Sequence, residues 1–347
     1  MYHPRLRGNY YDAGKHYGSI LYKNGFRFPE VSTEKIEFGL KSIPFLQDFY
    51  PEIIEEIKGF AEACHVPYEH VCSFLLSIGI FDVTAQCSIF ASYQNGEMIV
   101  GRNYDMLTSV KQFTESSLIC MDNKFRFVGQ SDVFIGKVDG LNEKGLFIGM
   151  TLVPEEKTRP GINFYFAIRY ILEHCENVKE AIEVLEHFHS SLSNNYLIAD
   201  KSGEMAVVEV GPNHFHVRTP NENESFIVCT NHFSHQSHQP NAFWSKTNER
   251  NETMIHQLKH NDHINEEQAK TIMSDTKGYV CLNLKQHNFG TLYSLVLNLN
   301  QLDILRAEGQ PNRTKYKQDN RLKDEIKKDN KKKNELKLLI CRFISIR

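Results

Sequence analysis

Residues 87–105 read Cys87-Ser-Ile-Phe-Ala-Ser-Tyr-Gln-Asn-Gly-Glu-Met-Ile-Val-Gly-Arg-Asn-Tyr-Asp105, and the fold turns on how they are read. Asn95-Gly96 stands between two strand-like stretches, Ser88–Tyr93 and Met98–Gly101. That dipeptide is a strong hairpin signal, because both residues tolerate the positive φ of a type I′ turn. A two-residue turn lays Cys87 opposite Tyr104, with Arg102, Asn103 and Asp105 within two positions of it. A guanidinium near a thiol lowers the thiol pKa and favours thiolate, which is a setting for a nucleophile. Strict strand alternation puts Arg102 and Asp105 on opposite faces. Both reach one site only if the strand ends, twists or bulges around Tyr104. On spacing alone the same residues also fit a salt bridge beside a buried thiol.

Upstream of the hairpin the pattern is helical. Glu34–Phe49, Pro51–Ala63 and Tyr68–Ile80 carry apolar residues at helical spacing, and Pro51 suits a helix start. Downstream, strands are expected at Ser117–Cys120, Phe125–Val128 and Leu146–Leu152, the last after a turn over Gly140–Gly145. Two amphipathic helices follow, Phe164–Cys175 and Val178–Phe188. Strands return at Asn195–Ala199, Met205–Val210, His214–Arg218 and Ser225–Cys229, then helices at Glu249–Lys259 and Glu266–Ser274. Gly290–Asn298 reads as a late strand that pairs with Leu302–Ala307. Strands in runs, with helices in runs between them, argue α+β with antiparallel sheets rather than a doubly wound parallel sheet. Pro311–Lys337 is dense in Lys, Asp and Asn, the composition of a solvated helix or a disordered tail. A basic surface-binding segment ending in the apolar run Leu338–Ile346 is the sharper alternative.

The 347 residues suffice for one large domain or two ordinary ones. With 41% hydrophobic and 24% charged residues and a formal net charge of −3, nothing global calls for nucleic acid. No run approaches a membrane span, and no apolar stretch follows Arg5 and Arg7 to make a signal peptide. The eight cysteines form no CxxC pair, so a cytoplasmic chain with buried, reduced thiols is expected. A homo-oligomer is left open.

The quoted run resembles the start of the mature catalytic chain in the choloylglycine hydrolase and penicillin V acylase group. It is still more similar to the isopenicillin-N acyltransferase-like peptidase family, where a nucleophile cysteine opens the first strand and Gly-Arg-Asn-x-Asp closes the second. Asp139-Gly-Leu-Asn-Glu-Lys-Gly-Leu146 with Ile148-Gly-Met-Thr151 is similar to a further family segment, as is Thr230-Asn231-His-Phe233. Ser245-x-x-x-x-Arg250 resembles a later motif more loosely. The resemblance runs from residue 14 to about 307. Gln86 and Ser88 depart from it, standing where glycine and threonine are usual.

The resemblance implies an N-terminal-nucleophile enzyme: a four-layer αββα sandwich of two antiparallel sheets, autoproteolysis before Cys87, and residues 1–86 retained as a cleaved helical leader. Residues 87–309 form the catalytic domain and 310–347 the basic tail. Cys87 attacks, its freed α-amino group serving as base. Asp105 holds that amino group, and Arg102 biases the thiol and braces Asp105. Asn231 and the Thr151 backbone N–H receive the oxyanion, and Arg250 steadies the site. No cofactor or metal is needed. Substrates are small acyl amides or acyl thioesters, so the chain is a hydrolase of linear amides or an acyltransferase. Two other readings compete. One is a non-catalytic binder that kept the fold without cutting itself, which Gln86 keeps open. The other is a metal site at His232, His235 and His238 with His214 and His216 nearby, disfavoured because the spacing lacks the helical i, i+4 geometry of HExxH.

Overall fold

The computed structural model describes residues 1–81, 85–154, 157–234, 246–261, 263–329 and 331. Residues 1–81, within the segment expected as a leader, comprise β1 (Arg5–Gly8), α1 (Tyr10–Lys23), α2 (Thr33–Phe49), α3 (Pro51–Cys64) and α4 (Tyr68–Ser77). Local chemistry sets these bounds. The Asn9 side chain accepts from Asp12 N at the start of α1, Pro51 opens α3, and His65 closes it in the left-handed region at φ 58°.

The hairpin follows the register expected from its turn. It consists of β2 (Gln86–Gln94) and β3 (Glu97–Leu107), with Cys87 opposite Tyr104 and both Asn95 and Gly96 at positive φ. After a 3₁₀ turn at Thr108–Phe113 come β4 (Glu115–Met121), β5 (Phe127–Ser131), β6 (Asp139–Asn142) and β7 (Leu146–Leu152). Then come α5 (Phe164–His174), α6 (Val178–Glu186), β8 (Asn194–Asp200), β9 (Met205–Gly211), β10 (His214–Arg218) and β11 (Phe226–Cys229). The chain continues through α7 (Thr247–Lys259), α8 (Glu266–Met273), β12 (Asn283–Leu284), β13 (Phe289–Asn298), β14 (Asp303–Ala307) and β15 (Lys317–Gln318).

The strands form two sheets, ordered β1-β4-β5-β6-β7-β8-β9-β10 and β11-β2-β3-β13-β14-β15, with β12 on β13. Helices α5 and α6 cover the first sheet, α7 and α8 the second, and β2 faces β7 and β8 between them. This is the αββα sandwich. Its central strands are buried on both faces, so they read as apolar runs and not as clean alternation. One pairing departs from an all-antiparallel reading: β1 of the leader joins β4 in parallel, Leu6 opposite Ile119. The segment expected as a turn over Gly140–Gly145 instead begins as β6, paired on both sides. No helix among the described residues is long and apolar enough to cross a membrane.

The start of the tail is built into the fold. Residues 321–329 are helical, Leu322 is buried, Arg7 of β1 is bidentate to Glu325, and Arg306 and Arg321 both hold Asp319.

Candidate active site

Strand parity sorts the hairpin into two faces. Cys87, Ile89, Arg102 and Tyr104 point between the sheets, while Phe90 and Ile99 point toward α7 and α8. Cys87 is fully buried at 0% exposure, with Arg102 Nη2 3.6 Å from its Sγ. Arg102 does not brace Asp105 as expected. Its Nε donates to Asp139 Oδ2 at 2.5 Å and its Nη1 to the Met150 carbonyl at 2.7 Å, both in the facing sheet. Gly149 makes the room: a Cβ there would lie 3.3 Å from Arg102 Nη1 and 2.9 Å from the Phe147 ring.

The hairpin strand neither ends nor bulges at Tyr104, and the irregularity lies in the neighbouring strand. The β2–β3 register runs unbroken to Gln86–Asp105, and the shift falls in β13 between Thr291 and Tyr293. The extra residue, Leu292, lets Tyr293 stack on Tyr104 while Thr291 reaches Asp105 on the other face. Asp105 therefore stays on the face opposite the thiol. Its Oδ1 accepts from Thr291 Oγ1 at 2.5 Å and its Oδ2 has no hydrogen-bond partner among the described residues. Burial pushes Asp105 up to about 6, against the pull of Arg250, the Thr291 hydrogen bond and Arg102.

The backbone of Cys87 is gripped by two other expected residues. Its N–H donates to Asn231 Oδ1 at 2.8 Å, and its carbonyl accepts from Arg250 Nη1. Arg250 also donates to Ser88 Oγ at 2.9 Å, Gln86 Oε1 at 3.1 Å and Asn231 Oδ1 at 2.9 Å. Gln86 and Ser88, the two departures from the family pattern, thus both serve as acceptors for this arginine. Asn231 Nδ2 donates to Leu152 O at 2.8 Å. Thr151 lies beside this loop, its hydroxyl donating to Thr230 O at 2.6 Å.

Burial pushes the Cys87 thiol up to about 12, outweighing the nearby Arg102 and Arg250, while Asp105 and Asp139 add to the rise. The spacing argument saw the cation and not the desolvation. In the uncut chain the thiol is neutral at pH 7, and its own nitrogen is an amide that accepts no proton. The thiol is in place without a base.

Five residues around the site were not anticipated: Asp139, Tyr293, Asn195, Asp132 and Tyr165. Asp139 holds Arg102 from the far sheet, and Tyr293, on the strand next to β3, donates its OH to Asp139 Oδ2 at 2.7 Å. Asn195 ties Thr151 Oγ1 to the carbonyls of Thr230 and His232. Tyr104 OH donates to Asp132 Oδ2 at 2.7 Å, and Tyr165 OH to its Oδ1 at 2.6 Å. The available signals were faint: an Asp opening an apparent turn, and two asparagines opening an apolar strand. Among the histidines, His232 Nδ1 lies 2.9 Å from Thr247 Oγ1, and burial lowers its pKa to about 4. His235, His238 and Ser245 lie outside the described residues.

Asp132 also lines a cavity of about 530 Å³ between the leader and the first sheet. Tyr17, Leu21, Phe26 and Phe74 form its leader wall, Phe113 and Phe134 the opposite one.

The family model described as acyl-coenzyme A:6-aminopenicillanic acid acyl-transferase matches residues 92–313. The N-acylethanolamine-hydrolyzing acid amidase ortholog of Caenorhabditis elegans superposes with a TM-score of 0.50 at 20% identity, over 62% of this chain and 93% of that one. A variant of conjugated bile acid hydrolase from Clostridium perfringens gives 0.48 at 16% identity, over 64% and 89%. An uncharacterized protein of Archaeoglobus fulgidus is 22% identical over 274 residues, 62% of this chain and 45% of that relative. The match thus spans a little under half the length of that curated relative.

Proposed function

Because the chain belongs to the acyl-coenzyme A:6-aminopenicillanic acid acyl-transferase family, we propose that it is a self-processing cysteine enzyme of the N-terminal-nucleophile kind. It cuts its own Gln86–Cys87 bond and then uses Cys87 to attack linear, non-peptide amides or acyl thioesters. The observation that carries this reading is the convergence on one residue. Asn231 holds the Cys87 nitrogen, Arg250 its carbonyl, and Arg102 faces its sulfur.

The thiol first attacks the Gln86 carbonyl, the amide nitrogen of Cys87 leaves with a proton, and water opens the resulting thioester. That exchange turns an amide into an amine. A free α-amino group has a reference pKa of about 8, so a useful fraction is neutral at pH 7 and takes the thiol proton. The unpartnered Oδ2 of Asp105 supports a role in holding that amine once the chain end is free to turn. Asn231 Nδ2, released from Leu152 O, and the Thr151 N–H are the donors proposed for the oxyanion, a contact worth about a hundred- to a thousandfold in rate. The acyl-enzyme then passes to water or to an amine, and the acceptor decides between hydrolase and acyltransferase.

The apolar cavity beside Asp132 suits the acyl group. Tyr104, which faces Cys87, reaches its wall with one side chain. Its size falls in the range of about 300–1,000 Å³ typical of small-molecule sites.

The test is the intact mass of purified protein, wild type beside Cys87→Ala. Two chains split between Gln86 and Cys87 in wild type, with the variant whole, are expected. If both stay full length, Cys87 has no α-amino base and the protein is a binder that kept the fold.

A further inference from the structure

We propose that Asp139 is the positioning residue of Arg102: together with the Tyr293 hydroxyl it orients and electrically balances the guanidinium that faces the Cys87 sulfur. The inference rests on Cys87 being the nucleophile. It adds a residue from the facing sheet that neither the hairpin nor the Thr-Asn loop contains.

The geometry runs as a chain across the sandwich. Tyr293 of β13 donates to Asp139 Oδ2 at 2.7 Å, and the same oxygen accepts Arg102 Nε at 2.5 Å. Arg102 Nη1 is taken by the Met150 carbonyl at 2.7 Å. A guanidinium is planar and its donors sit in a rigid fork. With Nε and Nη1 both engaged, the plane is set, and Nη2 has one direction left, toward Sγ at 3.6 Å.

The form of the ion pair supports this reading. Arg–carboxylate pairs frequently close bidentate, two parallel N–H···O bonds on two oxygens. Here one oxygen of Asp139 takes both side-chain donors, Arg102 Nε and the Tyr293 hydroxyl, and the fully buried Oδ1 takes neither. The end-on contact leaves the Nη2 edge open to sulfur, where a fork-on-fork closure would have turned it away.

The charge matters as well as the angle. The titratable and charged groups that act on Cys87 are Arg102 and Tyr104 of β3, Asp105 from the other face of that strand, Tyr293 of β13, Asp139 of β6 and Arg250 of α7. Asp139 offsets the positive charge of Arg102 and so adds to the burial that keeps the thiol protonated before any cut, with its proton available for the departing amide nitrogen. Removing that carboxylate leaves Arg102 as an uncompensated cation beside sulfur, which stabilises thiolate.

The experiment is Asp139→Asn, read on the full-length protein by two measurements. Self-cleavage is followed by intact mass, and iodoacetamide labelling of Cys87 is followed by peptide mass from pH 7 to 12, a range that reaches the raised midpoint of the buried thiol. The peptide that still spans Gln86–Cys87 and the one that begins at Cys87 are scored separately, so like is compared with like. The expected result is opposite motion. Self-cleavage slows about a hundredfold, because a loosened guanidinium misplaces the reacting groups, while the labelling midpoint moves down by about one unit or more. A residue that only supports the fold would slow both reactions or neither. Tyr293→Phe removes one hydrogen bond and keeps the charge, and it is expected to slow self-cleavage several-fold with thermal stability preserved. If Asp139→Asn does not fold, Tyr293→Phe alone decides, and wild-type cleavage in it overturns the proposal. An unchanged midpoint with unchanged cleavage in Asp139→Asn overturns it too. Should wild type itself stay uncut, as Cys87→Ala does, the proposed function fails, while the labelling midpoint still reports on Asp139.

Discussion

Asp105 is a fully buried carboxyl, and its protonation is tied to the stability of the intact chain. It is fully buried, takes one hydrogen bond from Thr291, and is pushed up to about 6 from its ordinary 3.8. The folded chain therefore binds this proton more tightly than the unfolded chain. The group's stabilising contribution is present in full below pH 3.8 and is lost as pH rises through about 6. The shift corresponds to about 3 kcal/mol. In a Cys87→Ala background, Asp105→Asn is expected to gain on its parent by that order between pH 4 and pH 8, measured by urea unfolding. A constant gap would mean that Asp105 is solvated or ionised in the fold. At this scale the sequence was legible where chemistry is local. Asn95-Gly96 dictates the turn, the turn sets Cys87 against Tyr104, and the motifs named Asn231 and Arg250. It was silent where partners come from the other sheet. Arg102 and Asp139 are 37 positions apart with no shared periodicity, and the bulge that separates Thr291 from Tyr293 lies far along the chain from the residues it serves.

The elements give a reason why the proposed cut before Cys87 would leave one body. Helices α1 and α3 of the leader touch through glycine: a Cβ at Gly14 would meet the Glu56 carbonyl oxygen at 2.0 Å, and one at Gly59 the Tyr11 carbonyl oxygen at 2.0 Å. Together they carry polar groups into a buried cluster on α5. Arg169 holds Glu56 at 2.8 Å and Glu173 at 2.6 Å, and Tyr10 and Tyr50 both donate to Glu173. Losing the leader would strand Arg169 and Glu173 with half their partners in an apolar interior. Breaking a buried pair by removing one partner costs about 3–5 kcal/mol. Glu56→Ala is therefore expected to lower the urea midpoint of the uncut protein. In the processed protein it should let residues 1–86 separate from 87–347 on native size exclusion. Co-elution with an unchanged midpoint would place the retention elsewhere, in β1 or its Arg7–Glu325 clamp. Helices α2 to α8 were readable from apolar spacing and caps. Strand β1 was not, because four residues pairing in parallel carry no alternation long enough to see, and β6 was hidden by a composition that favours turns.

At the scale of the whole molecule, the cavity beside Asp132 makes the leader part of the proposed site and not only of its maturation. One wall belongs to residues before the cut and the other to residues after it. Tyr104 connects the two regions, with Cys87 across the hairpin at one end and Asp132 at the other. If acyl groups lie there, the leader limits their length, and a change in the leader alters specificity without touching the thiol. Leu21→Trp adds bulk to the leader wall, more than 60 residues before Cys87. Self-cleavage in this variant is expected to match wild type, since the Gln86–Cys87 bond lies on the hairpin. Hydrolysis of long-chain acyl amides is expected to fall at least tenfold in kcat/KM while short-chain acyl amides are spared, as a pocket loses about 0.8 kcal/mol for each methylene it no longer buries. The comparison of chain lengths carries the argument. A uniform loss would point to damage at the site itself, and no loss at any length would move the acyl group to another face of the sandwich.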